Sequence, residues 1–213
     1  MAEFFSFNTY NKYMNNNIID NNLLLLGRLQ GIGSRSSRRI LFDLMKKKEG
    51  LLKPLIASLQ ELYDSVEPCS NCYNLDTSNP CYICSNNKRD KTSICIVEDI
   101  SALWAIEKAS EKTNSYNGTY FVLGGTLSAN KGADPETLRI PKLIDKIINS
   151  NVEEVIFATS ATSEGKITSD YISSLIPEHI RVSTLAQGIP IGGEIDYLDE
   201  ITLSTAINLR TNR

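Results

Sequence analysis

The chain is 213 residues long, enough for one large domain or two to three small ones, and its composition is that of an ordinary soluble protein. No stretch approaches the apolar length of a membrane-spanning helix, and the N-terminus lacks the basic-then-apolar pattern of a secretion signal. A net charge of −3, evenly spread, would argue against a nucleic-acid partner, but residues 27–53 hold eight basic side chains against Asp43 and Glu49, while residues 54–213 sum to −8. A basic module on an acidic body points to an anionic ligand for the small part only.

Residues 1–22 are rich in Asn and poor in apolar periodicity, which predicts a loosely attached tail, with Met14 as an alternative start of the functional chain. Residues 23–29 (LLLLGRL) read as the end of a short apolar helix. Gly31-Ile32-Gly33 breaks it as a tight hairpin with exposed amides, and Ser34 is placed to cap a helix from Arg35 to about Lys48. Ile40, Leu41, Leu44 and Met45 share one face of that helix, and Arg35, Arg38 and Arg39 cluster at its start. Helix, GxG hairpin, helix is the layout that grips a phosphate backbone through amides and a helix N-terminus without reading bases. The alternative is a plain glycine turn with a solvated basic face. Residues 51–66 carry apolar side chains at helical spacing, which predicts an amphipathic helix packed on the first module or on a second subunit.

Four of the five cysteines follow in one frame, Cys69-x2-Cys72-x8-Cys81-x2-Cys84. Two CxxC turns facing each other give a tetrahedral all-sulfur site suited to one Zn2+ per chain, with no position left open for a substrate. Four cysteines in a secreted chain would favour disulfides, but a reducing cytoplasm favours metal, and a thioredoxin-like redox pair would use one CxxC, not two. Cys95, in the apolar run Ser93–Val97, reads as an inert strand residue.

From residue 92 strands and helices alternate. Strands are predicted at Ser93–Glu98, Thr119–Leu123, Val152–Ala158 and Ile180–Leu185, and helices at Ser101–Lys112, Glu136–Ile148 and Gly165–Leu175. That order implies a parallel sheet covered on both faces, with function at the C-terminal strand ends.

The GxG hairpin, the C-x2-C-x8-C-x2-C knuckle continuing as ICSNNKRD, the strand ICIVE and the closing Gly188-Ile-Pro-Ile-Gly-Gly-Glu194 together resemble the bacterial RecR family over about residues 14–213. The resemblance implies an α/β multidomain chain. It would comprise a tail (1–22), a helix-hairpin-helix DNA-binding module (23–66), a four-cysteine zinc finger (67–91), a Toprim-like parallel sheet (92–187) and a C-terminal assembly segment (188–213). It implies a ring, usually a homotetramer, that binds single-stranded, double-stranded or gapped DNA and acts with RecO-like and RecF-like mediators to load RecA at gaps. The location implied is the cytoplasm, at the nucleoid, with no membrane partner. Arg35 and Arg39 fall where the family places its basic DNA-contacting residues, with Gly31, Gly33 and Arg38 beside them; Cys69, Cys72, Cys81 and Cys84 fall on the zinc ligands. Departures from the family pattern include Gln30 and Ser34 where the hairpin usually carries proline, Lys131 where an acid is expected, and Ser160-Ala161 in place of Asn-Pro.

Toprim nucleases hold Mg2+ between a Glu after the first strand and a DxD after the third. Glu98 occupies the first position, but the third strand runs on as Thr159-Ser-Ala-Thr-Ser-Glu164, without a DxD. The expectation is a catalytically silent domain in which Glu98, Asp99 and Glu164 are candidates for a weak Mg2+ or a basic partner, set against the plainer reading of Glu98 hydrogen-bonded to a helix start. The alternative is a metal-dependent Toprim nuclease or primase-like enzyme. His179 reads as a surface residue, no P-loop is present, and the acidic loop Gly192–Asp199 reads as an assembly or partner contact.

Overall fold

The computed structural model describes residues 17–128, 133–186 and 188–210. The expected tail through residue 16, Met14 and Lys131 lie outside the described residues. The chain divides into two compact units, one ending at Ser65 and one beginning at Val66.

In the N-terminal unit, α1 (Asn17–Gly27) turns through residues 28–33 into α2 (Ser34–Lys46); one wide turn at Lys48–Leu52 then leads into α3 (Lys53–Ser65). Helix begins at Asn17, so the last six residues of the expected tail are ordered: Ile19, Leu23, Leu24 and Leu26, all partly buried, supply an apolar face that the run of Asn masked. Gly31 sits at φ +76, a left-handed turn position that favours glycine, whereas Gly33 has an extended backbone. Ser34 is not the cap. Gly33 occupies the N-cap, and Ser37 is the buried hydroxyl, donating to the Gly33 carbonyl at 3.0 Å.

The second unit opens with β1 (Glu67–Pro68), paired antiparallel with β2 (Leu75–Asp76), and the short α4 (Tyr82–Ser85). The sheet follows: β3 (Ser93–Val97), α5 (Ile100–Thr113), β4 (Thr119–Val122), α6 (Ile140–Ile148), β5 (Glu154–Ala158), α7 (Ser163–Ser173) and β6 (Arg181–Thr184). All four strands are parallel, in the order β4-β3-β5-β6. Both faces of β3, β4 and β5 are covered, as their near-continuous apolar sequences require, whereas the edge strand β6 is largely exposed. Ile94, Ile96, Phe121 and Phe157 face α6 and α7, while Cys95, Val97, Tyr120 and Val122 face α5. A 3-10 turn (Ile195–Tyr197) and α8 (Glu200–Asn208) close the described chain.

Two boundaries differ from expectation. α6 starts at Ile140, not Glu136, because Pro141 offers no amide and its ring clashes with the carbonyl four residues back. The knuckle is not a free-standing module. Cys69, Cys72, Cys81 and Ile83 belong to the same buried cluster as Val97, Leu103, Tyr120 and Val122. The Val122 amide donates to the Cys72 carbonyl at 2.9 Å, so the knuckle covers the outer edge of β4.

Candidate metal centre and nucleic-acid interface

The β1–β2 hairpin holds the first cysteine pair. The Cys69 amide donates to the Asn74 carbonyl at 2.7 Å and the Tyr73 amide to the Cys69 carbonyl at 3.0 Å, closing a turn whose exit residue, Tyr73, is left-handed at φ 64. The second pair brackets the start of α4, with Cys81 at its N-cap. Asp76 ties the two halves together. Its carboxylate accepts from the Tyr82 amide at 2.8 Å and the Ser78 amide at 3.2 Å, and these bonds hold its pKa below the usual carboxylate range.

The four sulfurs lie within 4.8 Å of one another, and they are the one group of three or more metal-ligating side chains among the described residues. A tetrahedron with Zn–S bonds of ~2.3 Å has edges of about 3.8 Å, so small adjustments bring all four to one ion. Backbone amides point at the sulfurs: Asn71 and Cys81 at Cys69 (3.4 and 3.3 Å) and Asn74 at Cys72 (3.5 Å), which favours thiolates over thiols. Cys72 and Cys81 lie 3.5 Å apart, and that contact drives Cys81 far down, toward the thiolate. Such crowding fits a set of thiolates that a dication compensates. Zn2+ supplies closed structural coordination here, without Lewis-acid chemistry. Cys95 is separate: burial in β3 pushes its thiol up to about 12.

On α2, Arg35 and Arg39 stand one turn apart and exposed, with no ion pair among the described residues. Arg38 is half-buried, and its guanidinium donates to the Ser34 carbonyl at 3.4 Å. No side chain caps the first turn of α2, so its free amides and positive dipole end face the same region as the arginines.

At the strand ends, Glu98 is held by Ser160, whose amide and hydroxyl donate to it at 2.6 and 2.7 Å. Asp99 is the N-cap of α5 and accepts from the Ala102 amide at 2.8 Å. Glu164 is exposed in the first turn of α7. The three carboxylates do not gather into a ligand group like that of the cysteines. The sequence alone assigns no role at this corner to Ser160 or Gly165. A Cβ on Gly165 would lie 2.2 Å from the Ser160 carbonyl oxygen and 3.1 Å from Glu98, so glycine is what lets α7 approach here. A glycine directly after Glu164 is the one local signal of that close approach. His179 is exposed, and no described helix is long and apolar enough to cross a membrane.

Three family models match: the four-cysteine zinc finger domain of RecR over residues 68–86, the Toprim domain over 92–186 and the RecR C-terminal domain over 188–211. Among curated proteins, the recombination protein RecR of Rickettsia bellii is 47% identical over 92% of this chain and 96% of its own length. The RecR of Mesorhizobium japonicum is 46% identical over 91% of this chain and 94% of its own.

Proposed function

This chain belongs to the RecR family of recombination proteins, and from that premise we propose that it is a non-enzymatic mediator that clamps DNA through its N-terminal helices. It has a role in recombinational repair and carries a four-cysteine zinc site. The finer reading is a ring, most simply a homotetramer, in the cytoplasm at the nucleoid. It acts with RecO-like and RecF-like proteins to load RecA on gapped single-stranded DNA. Its working parts are residues 23–66 for DNA, 67–91 for zinc, 92–187 for the Toprim sheet and 188–213 for assembly.

The observation that supports DNA contact is the pairing of exposed, unpaired Arg35 and Arg39 with the uncapped start of α2. Gly31 shapes the turn into it, with Gly33 and Arg38 alongside. Binding of this kind goes to phosphates, so it falls steeply with salt and shows little sequence preference. Arg35→Ala with Arg39→Ala is expected to lower affinity for labelled DNA by roughly tenfold and to flatten the salt dependence, with zinc content and unfolding midpoint kept. Unchanged binding in that variant sinks the assignment of α2.

A nuclease or primase-like reading has one observation in its favour, Glu98 at the end of β3. Its carboxylate is occupied by Ser160 where a DxD would stand, so the same preparations are expected to leave labelled DNA intact in Mg2+ or Mn2+. Cleavage that disappears in Glu98→Gln would favour the enzyme instead.

A further inference from the structure

Between the knuckle and α6 lies a cavity of about 710 Å³, lined by Lys91, Lys142 and Lys146 with Asp145 as its single carboxylate. Its surroundings make those lysines unusual, because residues 66–213 hold nineteen acidic against thirteen basic side chains. No carboxylate pairs with any of the three lysines among the described residues. Asp145 is engaged elsewhere, accepting from the Asn149 amide group at 2.7 Å. The Lys142 ammonium is held 5.7 Å from the Tyr73 ring, whose other contacts are the Arg139 guanidinium at 4.5 Å and the edge of Phe121. Lys146 is anchored, donating to the Asn71 carbonyl at 2.8 Å. Ser70, Ser150, Asn151 and Thr92 add neutral hydrogen-bonding groups to the rim.

Ammonium groups held by neutral acceptors (Lys91 by Asn87 at 3.5 Å, Lys146 by Asn71) but by no carboxylate, around a concave wall, attract an anion with several charges. A nucleic-acid strand supplies them at regular spacing, a duplex is too wide a cylinder to enter the cavity, and the buried Phe121 offers no free face for base stacking. We propose that this cleft is a second phosphate-binding surface, one that takes the backbone of single-stranded DNA independently of α2. This rests on the reading that the chain binds DNA.

The test uses full-length, zinc-loaded protein and a fluorescein-labelled oligothymidine, with affinity measured by anisotropy over a range of salt. Lys91→Ala with Lys142→Ala leaves the Lys146 anchor in place. It is expected to lower affinity by about tenfold and to flatten the slope of log K against log salt by about 1.4, with zinc content and unfolding midpoint unchanged. The Gln versions of both residues, which keep the hydrogen bonding, are expected to show the same loss. Added to Arg35→Ala with Arg39→Ala, the lysine changes should remove the binding that remains.

Unchanged affinity and slope in the lysine variants overturn the proposal, and a loss that persists in the arginine variant leaves the DNA-binding reading standing. An affinity loss that tracks zinc release, or zinc release with affinity intact, also overturns it and assigns the lysines to balancing the thiolate charge of the knuckle. Wild-type protein that binds no oligothymidine even at low salt overturns the cleft and the DNA-binding reading together.

Discussion

Arg89 follows the knuckle and is buried against Glu107 of α5, the two side chains 10% and 6% exposed. The guanidinium makes a two-pronged contact with the carboxylate and also donates to the Gly118 carbonyl at 3.2 Å. Three of its five N–H donors are therefore engaged, two of them by one carboxylate, in a largely buried place. Removing one member of such a pair leaves a buried charge, which costs about 3–5 kcal/mol, whereas replacing both by apolar groups is often neutral. Glu107→Ala is expected to lower urea-unfolding stability by about that amount, and Arg89→Met with Glu107→Leu to recover most of it. Equal stability of Glu107→Ala and wild type would show that the pair holds nothing together. Neither residue's partner was readable from the sequence. Eighteen positions separate them, and no local pattern marks a contact made only when the chain folds back.

The knuckle is the element on which stability should turn most sharply, because its cysteines are core residues of the α/β unit as well as ligands. Structural zinc contributes on the order of 10 kcal/mol to isolated fingers, and in a unit of this size each kcal/mol moves the midpoint by about 2–4 °C. Stripping the metal with a chelator at neutral pH should therefore lower Tm by well over ~10 °C. It should also expose Cys69, Cys72, Cys81 and Cys84 to a thiol reagent while Cys95, held in β3 with its thiol raised to about 12, reacts last. A chelated protein with unchanged Tm would mean that the core holds without the ion. The cysteine frame was fully legible, since ligand spacing is a local property. So were the four strands, three of which (β3, β4 and β5) have apolar runs that match their burial, while β6 is a largely exposed edge strand. The role of Asp76, the fusion of the knuckle to β4 and the delayed start of α6 were not. The first depends on how the knuckle loop curls to bring the Tyr82 amide to Asp76, the second on a contact across the fold between Val122 and Cys72, and the third on Pro141 overriding an otherwise helical pattern.

For the molecule as a whole, the proposed DNA contacts per chain are few, two exposed arginines on α2 with the proposed cleft as a further surface. High affinity then requires several copies acting together, and the exposed apolar surface suggests how they meet. On α3, Ile56, Leu59, Leu62 and Tyr63 are all more than half exposed, and so are Ile191, Tyr197 and Ile201 in the C-terminal segment. Patches of this kind on a folded chain mark contact surfaces. The protein is expected to run in solution at a multiple of its 23.7 kDa chain mass, as measured by light scattering. Leu59→Asp with Leu62→Asp should lower that mass. Because linked sites gain about 10²–10⁴ in effective affinity, the same variant should lose DNA affinity by ~100-fold although no cation has been changed. A variant that stays assembled with full affinity would remove α3 from the interface. A wild type that is monomeric and still binds tightly would remove the need for assembly, and the arginines and cleft of one chain would have to supply the whole of the binding.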